Sequence, residues 1–252
     1  MSQLRLLSQR AVREVWRIPE ATVTALFIPV FFLVVNIGQV NNVFPADSTG
    51  FLMGQSYVAF QLPVSLVFAV STATSGLAMV NDIDNGYLDK LLMTPVRRSS
   101  IVQGRLAADL VRGLMVSTVV LIVGLLLGAR IESGVLGAVL LIVLAACWGV
   151  SYAGFGILIA LRSKSVQTTN ASFLIFFPLL FLTPNFVPFE VLTEPLQTIA
   201  RLNPVSYVIV GLRSLILEGW DVQALAVCVL VIVATGGILT GLSMRAIRHI
   251  SD

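Results

Sequence analysis

Six apolar stretches separated by short polar joints run along this chain, at about 21–40, 51–80, 104–129, 134–161, 166–182 and 223–244. A bilayer-spanning helix needs roughly 20 apolar residues. The pattern therefore predicts an all-α integral membrane protein with six transmembrane helices, built as a single domain over residues 1–252. Ahead of the first stretch, residues 1–19 place Arg5, Arg10, Arg13 and Arg17 among Leu4, Leu6, Leu7, Val12, Val15 and Trp16. That spacing predicts an amphipathic helix lying against an anionic leaflet. The run behind it is too long for a signal peptide's apolar core and has no small-residue cleavage pattern after it, so it reads as a retained span kinked at Pro29.

The long polar interruption, Asn81 to Arg112, carries its own local pattern. Asp82, Asp84, Asn85 and Gly86 are turn and capping residues that close one helix and favour another. In Tyr87 to Met93, Leu88, Leu91 and Leu92 fall at i, i+3 and i+4, while Asp89 and Lys90 point away. Thr94-Pro95 ends this short leucine-faced helix, because proline cannot donate and constrains the residue before it. Ser100 and Gln103 have the spacing of a capping box, predicting a long helix from there. Its first turns carry Arg105, Asp109 and Arg112, whose spacing suits a solvated or headgroup-level face.

Residues 183–222 are too apolar for a simple loop, yet Pro184, Pro188, Glu190, Glu194, Pro195, Arg201 and Pro204 forbid a clean span. They predict short re-entrant or interfacial helices forming a cap between spans five and six, since irregular backbone at membrane depth survives only where protein or water satisfies it.

Composition and charge sharpen this picture. At 57% hydrophobic and 12% charged, the chain is far below the roughly 25% charge of a soluble domain. The net charge of +3 is unevenly placed and speaks to topology rather than to nucleic acid. In a six-span arrangement the N-terminal arginines, the 81–112 block, Arg162/Lys164 and Arg245/Arg248 share one side, and only Arg130, Arg201 and Arg213 lie opposite. The positive-inside rule then makes both termini and the central block cytoplasmic, in a cell membrane. Cys147 and Cys228 sit in apolar runs and indicate neither disulfide nor metal.

Chemistry is sparse. The one histidine, His249, follows the last span, and no carboxylate pair sits mid-membrane, which argues against an intramembrane hydrolase or a proton-coupled carrier. No G-x-x-x-x-G-K-[ST] occurs, so any ATP is hydrolysed by another chain. In the second span Gln61, Ser65, Phe68, Thr72, Ser75 and Met79 form one helical stripe, and in the fifth Asn170, Phe173, Phe177 and Phe181 form another. Two readings stand side by side: opposed walls of a cavity for bulky amphipathic molecules, or ordinary helix packing with phenylalanines toward lipid.

The run Gly86-Tyr-Leu-Asp-Lys-Leu-Leu-Met-Thr-Pro95, followed by Gly104-Arg-Leu-Ala-Ala-Asp109-Leu-Val-Arg112, resembles the cytoplasmic loop of type 2 ABC transporter permeases. Phe186-Val-Pro-Phe-Glu190 and Asn203-Pro-Val-Ser-Tyr207, with Arg213 beyond, resemble that family's pattern between the last two spans. The likeness covers nearly the whole chain and is greatest to drug exporters of the daunorubicin type. It departs where Asp82 and Asp84 replace the family's commoner glutamates and Tyr87 replaces a small residue.

The resemblance implies a transport subunit that is not itself an enzyme and holds no cofactor, with ATP and Mg in partner ATPase subunits. It implies pairing with a second permease copy or a similar sister chain, within membrane lipids. The leucine-faced helix becomes a coupling helix seated in the ATPase: Leu88, Leu91 and Leu92 are expected to anchor it, and Asp89 and Lys90 to select the partner. Asp82, Asp84, Gly86, Thr94 and Pro95 complete the coupling set. Gln61, Ser65, Phe68, Thr72, Asn170, Phe173 and Phe177 become the substrate path, and Glu190, Glu194, Arg201 and Arg213 the salt bridges of an outer gate. The cargo is expected to be a drug-like molecule or lipid; export of a polysaccharide or lipid-linked glycan, and a scaffold that transports nothing, are the alternatives.

Overall fold

The computed structural model describes residues 8–13, 19–40, 43–44, 50–71, 74–94 and 97–248. Among them every regular element is a helix. Helix α1 covers residues 8–13, followed by α2 (Pro19–Val40), α3 (Tyr57–Val70), α4 (Thr74–Asp84), α5 (Tyr87–Leu92) and α6 (Arg98–Leu126). Then come α7 (Gly134–Ser163), α8 (Val166–Phe181), α9 (Glu194–Leu202), α10 (Pro204–Leu217) and α11 (Val222–Arg248).

Among the described residues, four segments are long and apolar enough to cross a bilayer: Tyr57–Asp84 (α3 with α4), α6, α7 and Val222–Ile247 of α11. Helices α9 and α10 pass the same test together but are bent by 87° at their junction, which would make five. Leu26–Val40 and Val166–Phe181 are apolar and shorter. Apolar helices thus stand where the six spans are expected, in the expected order, while length and composition alone support four or five crossings.

Three boundaries differ from the sequence reading. Residues 51–56 do not begin the second span; Gly50–Leu52 is a 3-10 turn, and Met53 and Gly54 follow at φ 50 and 78, left-handed values that cannot continue an α-helix. Helix α6 starts at Arg98 behind an extended Arg97, which makes no side-chain cap bond, so Ser100 lies inside the helix and the capping box does not form. The cap between the last spans is not purely interfacial: α9 keeps one amphipathic face, but α10 is buried along nearly its whole length. Apolar residues surround most of α10, and a helix of that kind goes inside.

The centre of the bundle is α3, buried at every residue and packed against α2, α6, α7 and α10. Leu33, Phe60, Val116, Trp148, Phe176, Leu212 and Ile232 join seven helices in one core. A smaller core lies at the end where α4 meets α5: Met79 and Val80 of α4, Leu88 of α5, Ile101 and Leu106 of α6, Ile157 and Leu161 of α7, and Ile247 of α11. Between the two cores α4 crosses α7 closely, since a Cβ on Gly76 would stand 2.8 Å from the backbone of Gly156. Small residues permit such contact, and dispersion between the backbones rewards it where lipid gives helices no hydrophobic reason to associate.

Candidate functional site

Gly86 adopts φ 64 and turns the chain sharply between α4 and α5, a left-handed conformation that favours glycine. Helix α5 then lies across the end of the bundle. Leu88 is 2% exposed and belongs to the small core, and Leu91 and Leu92 pack partly buried against it. Asp89, Lys90, Met93 and Thr94 face outward, with Thr94 Oγ1 donating to the Leu91 carbonyl at 2.6 Å to close the last turn. The Leu88 side chain thus packs inside its own chain, while Asp84, Asp89, Lys90, Met93 and Thr94 are exposed and Leu91 and Leu92 half-buried. Pro95 lies outside the described residues.

Charge ties this end together. Asp82, in the last turn of α4, pairs with Arg105 of α6 through one carboxylate oxygen and accepts from Arg10 of α1 at 3.2 Å through the other. Arg105 also donates to the Ala78 carbonyl at 3.4 Å, and the Arg10 guanidinium lies 3.7 Å over the Tyr87 ring. Arg10 therefore clasps the α4–α5 corner. Arg105, Asp109 and Arg112 are each buried, with Arg112 Nε 3.8 Å from Asp109. The solvated face expected for them is instead an inward face, and buried charges of opposite sign persist only when paired this way.

The predicted stripe in α3 also turns inward. Gln61 donates to the Asn185 side chain at 3.0 Å, Ser65 is fully buried, and Phe68 meets Phe32 and Phe177 at ring distances of 5.9 and 5.3 Å. Within one chain these residues face neighbouring helices and the 183–187 segment, not open space. Asn170 is exposed on α8 and Phe177 half-buried; Thr72 and the side chain of Phe173 lie outside what is described. Phe32, Phe181 and Phe186 extend the aromatic cluster, while Phe27 and Phe31 of α2 and Leu174 and Ile175 of α8 are exposed beside it.

At the opposite end, side chains hold the irregular segment after α8. The Asn203 side-chain amide donates to the carbonyls of Leu179 and Leu182 at 2.6 and 3.0 Å while its oxygen accepts from the Val205 N–H at 3.0 Å. One residue thereby caps the end of α8 and the start of α10, with Pro204 at the first helical position where its missing donor costs nothing. Tyr57 donates to the Phe186 carbonyl at 3.0 Å. Arg213 donates to the carbonyls of Phe60 and Pro184, each at 3.1 Å. Glu190, Glu194 and Arg201 are exposed, and no ion pair joins them to each other or to Arg213 among the described residues. Arg213 is in this structure a buried clamp on backbone.

The family model for the ABC-2 type transporter matches residues 2–217. The chain belongs to the ABC-2 type transporter family. It is 29% identical over 228 residues to the daunorubicin resistance ABC transporter permease protein DrrB1 of Streptomyces coeruleorubidus, covering 87% of this chain and 77% of the relative. It is 25% identical over 200 residues to the probable doxorubicin resistance ABC transporter permease protein DrrC of Mycobacterium tuberculosis, covering 77% and 70%. This ABC-2 protein is accordingly a multi-pass membrane subunit of an ABC transporter.

Several residues that shape the ABC-2 site escape a sequence reading. Asn185 and Tyr57 carry no periodic signal that would mark them as partners of Gln61 and Phe186. Asp82 reads as a turn former, and nothing in spacing links it to Arg10 or Arg105, 72 and 23 residues away. A depleted but retained charge inside an apolar context was the available clue, since such residues are costly without a partner.

Proposed function

We propose that this chain is the permease of an ATP-driven exporter that moves a hydrophobic or amphipathic molecule out of the cytoplasm or inner leaflet. Separate ATPase subunits supply the work, and two permease chains, identical or similar, form the membrane part. The observation that carries this reading is the seating of α5. Its outward side offers Asp89, Lys90 and Met93, while its inward Leu88 sits in a core shared by α4, α6, α7 and α11. A partner that grips the outer side acts on α4 and on the three long helices α6, α7 and α11 at once. Asp82, bonded to both Arg10 and Arg105, makes α1 part of the same rigid end. ATP binding would shift the permease between two states only by the partner's differential affinity for them.

The exposed aromatic and aliphatic face of α2 and α8, backed by Phe32, Phe68 and Phe177, suits a bulky apolar cargo with few polar groups. Both termini and α5 lie on the cytoplasmic side in this reading, following the distribution of arginines. The test is reconstitution of the chain with a candidate ABC ATPase subunit from the same genome, in vesicles loaded with a fluorescent anthracycline. ATP-dependent efflux is expected, with loss of efflux and of ATPase docking in Asp89→Lys/Lys90→Glu. Efflux by the permease alone, or an undiminished rate in the charge-reversed variant, would overturn the proposal.

A further inference from the structure

A polar pocket of about 310 Å³ opens at the end of the bundle opposite α5, lined by Met53, Gln55, Ser56, Arg130 and Glu132 among others. Helix α6 has 29 residues, so at about 1.5 Å per residue the pocket stands roughly 40 Å from the coupling corner. Its walls are fixed. The buried Gln55 donates to the Ile216 carbonyl at 3.0 Å and to Glu132 at 3.3 Å, and accepts from the Arg130 backbone N–H at 3.4 Å. The N–H groups of Glu132 and Ser133 donate to the carbonyls of Ile216 and Leu215 at 3.1 and 3.2 Å, and the Ser133 hydroxyl to Leu215 at 2.7 Å. The connection between α6 and α7 is thus pinned to the end of α10.

What this scaffold presents is a pair of opposite charges. Arg130 and Glu132 are exposed, and neither forms an ion pair with another described residue. The Ser56 hydroxyl is buried without a hydrogen-bond partner. Met53 in the pocket wall is exposed, and so are Leu126, Val135 and Leu136 at the ends of α6 and α7 that flank the Arg130–Glu132 connection, an apolar collar. A purely anionic ligand would meet Glu132, and a purely cationic one Arg130, so the charges select a molecule that carries both signs. The apolar collar selects one that also carries alkyl chains.

We propose that this pocket binds the headgroup of a zwitterionic aminophospholipid, with its phosphate on the Arg130 guanidinium and its ammonium on the Glu132 carboxylate. The chains lie over the collar. A primary ammonium can donate to the Glu132 carboxylate, whereas a quaternary choline has no N–H to give. The site lies at the end of α6 away from α5, so it holds whether or not the partner proposed above is right.

Native mass spectrometry of the full chain from detergent containing equal amounts of palmitoyl-oleoyl phosphatidylethanolamine, phosphatidylcholine and phosphatidylglycerol reads this directly. Phosphatidylethanolamine is expected to be retained at least fivefold over either rival. Arg130→Gln should weaken retention of all three lipids, and Glu132→Gln should turn the preference toward phosphatidylglycerol; both sites are exposed, and unchanged melting confirms intact folding. Free phosphoethanolamine at millimolar concentration should fail to displace the lipid. Equal retention of the three lipids, a preference untouched by both variants, or displacement by the free headgroup would each overturn the proposal.

Discussion

Arg213 places its guanidinium 3.5 Å over the ring of Phe60 while its Nε donates to the backbone carbonyl of that same residue at 3.1 Å. A second donor reaches Pro184, so one buried arginine binds α10 to both α3 and the irregular turn after α8. Truncation leaves two buried carbonyls without that partner, at about 1–3 kcal/mol each. Arg213→Ala should therefore lower the denaturation midpoint strongly, whereas Arg201→Ala, on the exposed side of α9, should leave it nearly unchanged. Lysine should rescue only in part, because an ammonium offers a point charge where a flat fork spans two acceptors and stacks on a ring. Thermal unfolding of the purified chain in detergent ranks the three variants.

On the proposed reading, helix α5 separates stability from partner choice along its two sides. Leu88→Ala removes a buried side chain and is expected to cost about 2–5 kcal/mol. Lys90→Ala and Asp89→Ala, both on the exposed side, should leave melting unchanged yet weaken binding of the ATPase subunit. Melting curves and copurification of the ATPase distinguish the two classes. If Leu88→Ala melted like the parent and lost only the ATPase, the leucine would belong to the partner interface after all.

The crossing of α4 and α7 gives a prediction of opposite signs at two glycines. A Cβ at Gly76 would press on the Gly156 backbone at 2.8 Å, so Gly76→Ala should destabilise the chain by about 1–3 kcal/mol through forced separation of the helices. Gly237 in α11 has nothing within 4 Å of its would-be Cβ, and Gly237→Ala should stabilise its helix by about 0.5–1 kcal/mol. Paired thermal melts of the two variants check both directions.

Much of this architecture is legible in the sequence because local chemistry and hydrophobic period agree. The Asn85-Gly86 turn, the six-residue helix behind it and the break after Leu92 follow from turn residues and leucine spacing alone. Direction is what the pattern could not supply. The Leu88 face satisfies its period equally well against a partner's groove or against its own helices, and tertiary packing chose the second. Likewise Arg105 looks like a headgroup contact until the fold brings Asp82 to it, and the Asp109–Arg112 pair, legible as i,i+3 spacing, turns inward instead of outward. Ser100 shows the limit from another side: a capping box needs the hydroxyl at the boundary, and the helix began two residues earlier.

Asp82 is the point where three helices share one carboxylate, and its two partners are unequal. Toward Arg105 both side chains are nearly buried, at 8% and 11% exposure, whereas the Arg10 side chain is 43% exposed. Breaking a buried pair from one side costs about 3–5 kcal/mol, since the other charge stays stranded; an exposed pair contributes about 0–1 kcal/mol. Asp82→Asn should therefore destabilise the coupling end severely, while Arg10→Ala should cost little in melting. Arg10 still fixes α1 over Tyr87, a stacking worth about 0.5–1 kcal/mol at an exposed site. A double-mutant cycle of Arg10→Ala with Tyr87→Ala should return that coupling, and limited proteolysis should cut the N-terminal segment faster in either single variant. A cycle that closes to zero, with unchanged cleavage, would mean that α1 is held to the corner by other contacts and that the clasp carries no force from α5.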